Sequence, residues 1–166
     1  MKYIYILILV FFSKNLFACD LTQLNLDNNL NSLGISDDQK NFIINIKTEN
    51  FTEHHFPVEL ICENAFQDFS LEVFTFENKI FKIKYLNFIN KDKPLLSLSK
   101  KIYGLDFKFN DQNLNNNFLN SQILDNNKYS YYTFSNTKDN FFEVFEIINP
   151  NIDNMFRQEN YKELEN

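Results

Sequence analysis

The chain has 166 residues, a usual length for one domain, and its composition of 44% hydrophobic and 17% aromatic residues excludes wholesale disorder. The 22 acidic residues outnumber the 16 basic ones and give a net charge of −6, which disfavours binding to nucleic acid or anionic lipid, because both repel a negatively charged surface. Gly34 and Gly104 are the only glycines, so a glycine-rich phosphate-binding loop is excluded.

The first 18 residues predict a cleavable secretion signal. Lys2 supplies a positive charge, residues 3–12 form an unbroken apolar run, and Ala18 is a small residue at the cleavage site. The apolar run is too short to cross a bilayer, which takes about 20 residues, so we expect no transmembrane helix in the mature chain. Cleavage leaves one domain, residues 19–166. Loss of Lys2 and Lys14 then changes the net charge from −6 to −8, and we expect this acidic domain to be periplasmic or secreted.

Cys19, the first residue after the cleavage site, has two interpretations. Residues 16–19 (LFAC) resemble the lipobox of bacterial lipoproteins, in which the cysteine is acylated. Phe17 is bulky where that motif has a small residue, and the polar residues 13–15 interrupt the apolar run, so ordinary cleavage is favoured. An even pair of cysteines in an oxidising compartment then predicts a disulfide between Cys19 and Cys62. The two interpretations exclude each other, because an acylated Cys19 has no free thiol.

The first part of the mature domain predicts one short helix and two strands. Asp27 is suited to cap the helix, and Gly34 is suited to end it. Residues 42–46 alternate apolar and polar side chains, as a strand with one buried face does, and residues 57–62 form another short apolar run.

The strongest strand signal lies in residues 69–89. Apolar residues alternate with polar ones over residues 69–73 and again over 81–85, and Asn78 lies at the tip of the turn between them. This pattern predicts a β-hairpin.

A helix, a second hairpin and a final helix follow. Pro94 suits the first turn of a helix and Gly104 its end. Residues 128–134 and 141–148 predict two strands, and Pro150 ends the sheet before the last helix. We therefore predict an α+β fold in two layers, an antiparallel sheet built from two β-hairpins with the helices packed on one face.

The sequence contains no motif for catalysis or metal binding, such as a nucleophile elbow or a four-cysteine zinc site. His54 and His55 are adjacent, so on a strand they point to opposite faces and cannot chelate one metal ion together. Glu143 and Glu146 also lie on opposite faces of the last strand, so they are not a catalytic pair. One of the two lies on the more buried face, where burial would raise the pKa of a carboxylate, although an edge or solvated position is the favoured interpretation. We predict no cofactor, no metal and no enzymatic activity.

Four aromatic residues of one predicted strand form the candidate interaction surface: Tyr129, Tyr131, Tyr132 and Phe134. Tyr129 and Tyr131 share one face of the strand, and Tyr132 and Phe134 share the other. One face packs the core, which leaves the other for a partner. Residues 105–127 beside this strand are expected to form a short helix or an ordered excursion, which is the alternative contact surface.

Three functions remain open. The first, and the favoured one, is an exported, non-catalytic protein-binding module, such as an immunity or accessory protein, whose acidic charge suits a basic protein partner. The second is an envelope lipoprotein acylated at Cys19, which would contact the membrane through its lipid. The third is an enzyme with a site that the sequence does not reveal.

Overall fold

The computed structural model describes Leu21 and the ranges 24–62, 69–89, 91–107, 117–124, 128–136 and 141–164. Ala18 and Cys19, which the signal-peptide and disulfide predictions concern, lie outside the described residues.

The described residues form an α+β fold with seven strands and three helices. The strands are β1 (Ile44–Lys47), β2 (Phe51–Pro57), β3 (Phe69–Phe76), β4 (Lys79–Asn87), β5 (Asn117–Ile123), β6 (Tyr129–Asn136) and β7 (Phe141–Ile148). The helices are α1 (Asp37–Lys40), α2 (Pro94–Tyr103) and α3 (Pro150–Leu164). Within this part of the chain, no helix combines the length and the apolar character needed to cross a membrane.

All seven strands belong to one antiparallel sheet in the order β1-β2-β3-β4-β7-β6-β5. The predicted hairpins are confirmed as β3–β4 and β6–β7. Each is extended into a meander, by β1 and β2 on one side and by β5 on the other. The two meanders meet where β4 pairs with β7.

Helices α2 and α3 pack on opposite faces of the sheet. Lys82 and Ile83 are consecutive in β4, so their side chains point to opposite faces. Ile83 lies in one hydrophobic cluster with Leu95 of α2, whereas the Lys82 ammonium pairs with the Asp153 carboxylate of α3 at 3.3 Å. The predicted two-layer arrangement with all helices on one face is therefore wrong. We call the two sides the α2 face and the α3 face.

The main hydrophobic core lies on the α2 face. It combines side chains from β3, β4, β6 and β7 with side chains from α2 and from the residues that precede β1. Its largest fully buried members are Tyr85, Tyr132, Phe134 and Phe145.

A chain of two tyrosine hydroxyls ties the N-terminal residues to α2. Tyr103 on α2 donates to the carbonyl oxygen of Leu24 at 3.0 Å. The hydrogen bond between the Tyr85 and Tyr103 hydroxyls, at 2.9 Å, therefore has Tyr85 as its donor. Leu21 and Leu24 are buried in this core at 2% and 0% exposure, so the folded core includes residues close to the predicted cleavage site.

A second, smaller hydrophobic cluster packs α3 against the other face of the sheet. It consists of four aromatic rings: Phe51, Phe74, Phe81 and Phe156. Phe81 reaches this face because a β-bulge interrupts the β3–β4 register next to Phe74. Glu159 of α3 accepts hydrogen bonds from the backbone and side chain of Asn50 in the β1–β2 turn. These contacts place α3 across one end of the sheet, with β2, β3 and β4 beneath it.

Candidate functional site

Strand β6 divides the four predicted surface residues between the two faces. Tyr132 and Phe134 are fully buried on the α2 face, whereas Tyr129 and Tyr131 are partly exposed on the α3 face. The Tyr132 ring stacks on Phe107 with 5.5 Å between ring centroids. Tyr132 and Phe134 are therefore core residues, which corrects their assignment to the interaction surface. Tyr129 and Tyr131 are accessible enough to contact a partner and remain in the candidate surface.

One row of polar side chains crosses five strands on the α3 face. The register pairs His55 with Glu72, Glu72 with Lys84, Lys84 with Glu146, and Glu146 with Tyr131. All five side chains are partly exposed, and the contacts of α3 lie toward the end of the sheet beyond this row. We call these five residues the cross-strand row.

Ion pairs hold one end of the cross-strand row in place. The Lys84 ammonium lies 3.0 Å from a Glu72 carboxylate oxygen. The His55 ring lies between two carboxylates, with Nδ1 3.5 Å from Glu72 and Nε2 3.2 Å from Glu53. Pairs this accessible to water contribute at most about 1 kcal/mol each, so their main effect is to orient the side chains.

The electrostatic balance of this surface is negative. Around the row, four carboxylates, those of Glu53, Glu72, Glu146 and Asp153, outnumber three cations, Lys82, Lys84 and Arg157. The charge of this surface therefore has the same sign as the net charge of the whole chain, −6. A negative surface attracts a positively charged partner and speeds its association.

Tyr129 and Tyr131 form a tyrosine pair at the β6 end of the row. Their rings are nearly parallel, with an interplanar angle of 22° and 6.5 Å between centroids. In β7 the residues opposite them are Ile148 and Glu146. The pair therefore presents two aromatic rings next to a carboxylate.

Of the two glutamates in β7, Glu143 is the one on the buried face. It has 0% exposure, and burial raises its pKa, although its hydrogen bonds act in the opposite direction. It accepts hydrogen bonds from Asn87 Nδ2 at 2.9 Å, from the Tyr132 hydroxyl at 2.7 Å and from the Leu96 amide at 3.0 Å. Lys93 at the N-cap of α2 makes no side-chain capping bond, so Glu143 serves as the cap. A carboxylate so enclosed by donors has a structural role.

His54 and His55 point to opposite faces, as predicted. The His54 ring bonds to Asn45 Oδ1 through Nδ1 at 2.6 Å and to Thr75 Oγ1 through Nε2 at 3.1 Å. It lines a pocket of about 410 Å³ on the α2 face. Burial, with smaller effects from the charges of His55 and Lys47, lowers the pKa of His54 to about 4. Among the residues that the structure describes, no three His, Cys, Asp or Glu side chains are grouped to hold a metal ion.

The lowered pKa of His54 gives an expected pH dependence of stability. An unfolded chain binds this proton at a pKa of about 6.5, whereas the folded protein binds it at about 4. Below pH 6.5 the unfolded state therefore binds the proton first, and the free energy of unfolding falls between about pH 6.5 and 4. His54→Gln should reduce this fall, as measured by urea unfolding at pH 7, 5.5 and 4.5. His55→Gln, on the opposite face, should leave most of the fall in place, because burial is the largest cause of the lowered pKa of His54. An unchanged pH profile for His54→Gln would contradict the assignment.

Comparison of the chain with protein-family models, curated proteins and solved structures finds no match. The function is therefore argued from the cross-strand row and the tyrosine pair themselves.

Proposed function

We propose that this protein is an exported, non-catalytic binding module that holds a basic protein partner on its α3 face. The observation that carries the proposal is the cross-strand row, which sets carboxylates and the tyrosine pair side by side on a rigid sheet. Tyrosine is enriched at interface anchors because it combines a large apolar area with a polar tip. An immunity or accessory protein that neutralises or assists a basic protein would need such a surface.

The sheet favours this function because its side chains are held before a partner arrives. The cross-strand row takes one residue from each of five paired strands, and ion pairs orient its His55 end. A preformed surface loses little conformational freedom on binding, so more of the contact energy appears as affinity. The negative charge adds long-range attraction for a basic partner.

Export by ordinary cleavage fits the position of the core. Leu21 is 2% exposed and shares a hydrophobic cluster with Cys62, and Asp20 alone separates Leu21 from Cys19. An acyl group on Cys19 would hold a domain of net charge −8 directly against the membrane, where anionic lipids repel it. A soluble periplasmic or secreted protein with a Cys19–Cys62 disulfide is therefore favoured over the lipoprotein alternative.

The test is partner capture with matched tyrosine variants. A partner is isolated on the mature protein from the native periplasm, identified and purified, and its affinity is then measured. Tyr131→Ala should weaken binding by about 2 kcal/mol or more, as truncation of an interface anchor does. Tyr161→Ala is the control, because Tyr161 is a 68% exposed tyrosine on α3 outside the cross-strand row.

Salt provides a second readout of the same interaction. Association with the wild-type protein should slow as the salt concentration rises, because salt screens the attraction between surface charges. If Tyr131→Ala folds normally and binds the purified partner as tightly as wild type, the proposal is wrong.

A further inference from the structure

The tyrosine pair lies next to a carboxylate that the protein leaves available. Glu146 is opposite Tyr131 in the register and is partly exposed. Between described residues, no hydrogen bond or ion pair to the Glu146 carboxylate is formed, whereas Lys84, its other cross-strand neighbour, pairs with Glu72 at 3.0 Å. A carboxylate beside two aromatic rings is therefore free for a ligand.

We infer that Tyr129, Tyr131 and Glu146 form a binding site for an arginine side chain of the partner. This inference rests on the proposed function and specifies the chemistry of its contact. A guanidinium group is planar and weakly hydrated, stacks on aromatic rings and pairs with a carboxylate through two parallel hydrogen bonds. Cross-strand neighbours have Cβ atoms about 4.5–5.5 Å apart, so one guanidinium can stack on Tyr131 and reach Glu146.

The chemistry of the site distinguishes arginine from lysine. A lysine ammonium is a compact, strongly hydrated charge that pairs with a carboxylate without the flat face that stacks on a ring. Both cations are attracted by the charge of this surface, but only the guanidinium uses the ring faces and the carboxylate together. The site should therefore prefer arginine at equal peptide charge.

The arginine must come from another protein. Arg157 is the only arginine in the sequence, and its Nε donates to Asp153 at 2.8 Å. Asp153 is the main cause of the raised pKa of Arg157, and Glu146 adds a smaller electrostatic effect. In a second copy of this chain, Arg157 is already tied to Asp153 through Nε on its own helix, which restricts how its guanidinium could approach the site. An arginine-bearing segment of a basic partner has no such restriction.

The test uses three probe peptides of the same length and glycine spacing, with four arginines, four lysines or four citrullines. Citrulline keeps the shape of arginine but carries no charge. The mature protein contains tyrosine and no tryptophan, so tyrosine fluorescence follows binding directly. The arginine peptide should bind about five- to tenfold more tightly than the lysine peptide, and the citrulline peptide should not bind measurably.

Variants at the site should remove the preference for arginine. Tyr131→Leu, which keeps an apolar side chain but no ring, and Glu146→Gln should each make the arginine and lysine peptides bind equally. Tyr131→Phe keeps the ring and should retain the preference, and Tyr161→Ala should leave it unchanged. Circular dichroism establishes that each variant is folded before binding is compared.

The outcomes separate this inference from the proposed function. Equal binding of the arginine and lysine peptides to the wild-type protein would overturn the arginine site, even if Tyr131→Ala still lost the purified partner. A clear arginine preference that Tyr131→Leu abolishes would support the site. If Tyr131→Ala then bound the purified partner normally, the proposed function would fail while the arginine site stood.

Discussion

Replacing Glu143 with alanine is expected to lower the free energy of unfolding by about 3 to 5 kcal/mol, because three hydrogen bonds to one buried carboxylate are lost together. The variant removes the carboxylate that accepts hydrogen bonds from the Asn87 amide, the Tyr132 hydroxyl and the Leu96 amide. Each buried hydrogen bond lost in this way costs about 1–3 kcal/mol. Urea unfolding at pH 7, followed by circular dichroism, measures the effect.

The same strand offers a matched control. Glu146 lies three residues later on the opposite, partly exposed face, and Glu146→Ala should change stability by about 0.5 kcal/mol or less. Glu143→Gln keeps the size of the side chain but turns an amide donor toward other donors, so it should cost about 1–3 kcal/mol. Equal losses for Glu143→Ala and Glu146→Ala would show that the buried carboxylate does not anchor α2 to the sheet.

Loss of the proposed disulfide is expected to be the second large effect. Cys19→Ser should lower the free energy of unfolding by about 3 to 4 kcal/mol, since the disulfide closes a loop of about 44 residues and restricts the unfolded chain. For a domain of this size the melting temperature should fall by roughly 10 °C. Differential scanning calorimetry of the exported, mature protein measures both values.

Three further measurements identify the bond. Cys62→Ala and the Cys19→Ser/Cys62→Ala double variant should each cost about as much as Cys19→Ser, because one bond can be lost only once. Cys62 is 2% exposed, so Cys62→Ala would be destabilising even without a disulfide, and agreement with Cys19→Ser and the double variant is what identifies the bond. Mass spectrometry of the mature protein should show a chain lighter by two hydrogens. An acylated N-terminus would instead establish the lipoprotein alternative.

The hairpins and α2 were predictable because their signals are local. In the first hairpin, Asn78 adopts the left-handed backbone that a tight turn requires, with φ 65°. Pro94 begins α2, and Gly104 ends it with φ 67°. Alternation within β7 also predicted that Glu143 and Glu146 lie on opposite faces.

Strands β2 and β5 and the position of α3 were not predictable from local pattern. In β2 the polar stretch Thr52–His55 lies between buried Phe51 and Phe56, so alternation is absent. The Asn-rich segment expected to form a short helix or an ordered excursion contains β5, whose apolar Leu119 and Ile123 are 69% and 74% exposed. The β-bulge that brings Phe81 to the α3 face has no signature in the local sequence.

Only part of the candidate site could be predicted, because the rest depends on contacts between distant segments of the chain. The sequence separates Tyr129 and Tyr131 from Tyr132 and Phe134, but it does not tell which pair is buried. The cross-strand row needs the register of five strands, and register depends on pairing between distant segments. The local signal was a charged residue in each of three largely apolar strands: Glu72, Lys84 and Glu146.

The pairing of β4 with β7 also limits how the two halves of the sheet can be misaligned. In the described sheet it is the only pairing between strands that are not consecutive along the chain. A slip of one residue would turn Glu143 toward the α3 face. A slip of two would keep it on the α2 face but move it about 7 Å from Asn87, its partner in the correct register. Either misalignment leaves a carboxylate or its donors unsatisfied, so the buried network selects one alignment among several that apolar contacts alone would tolerate.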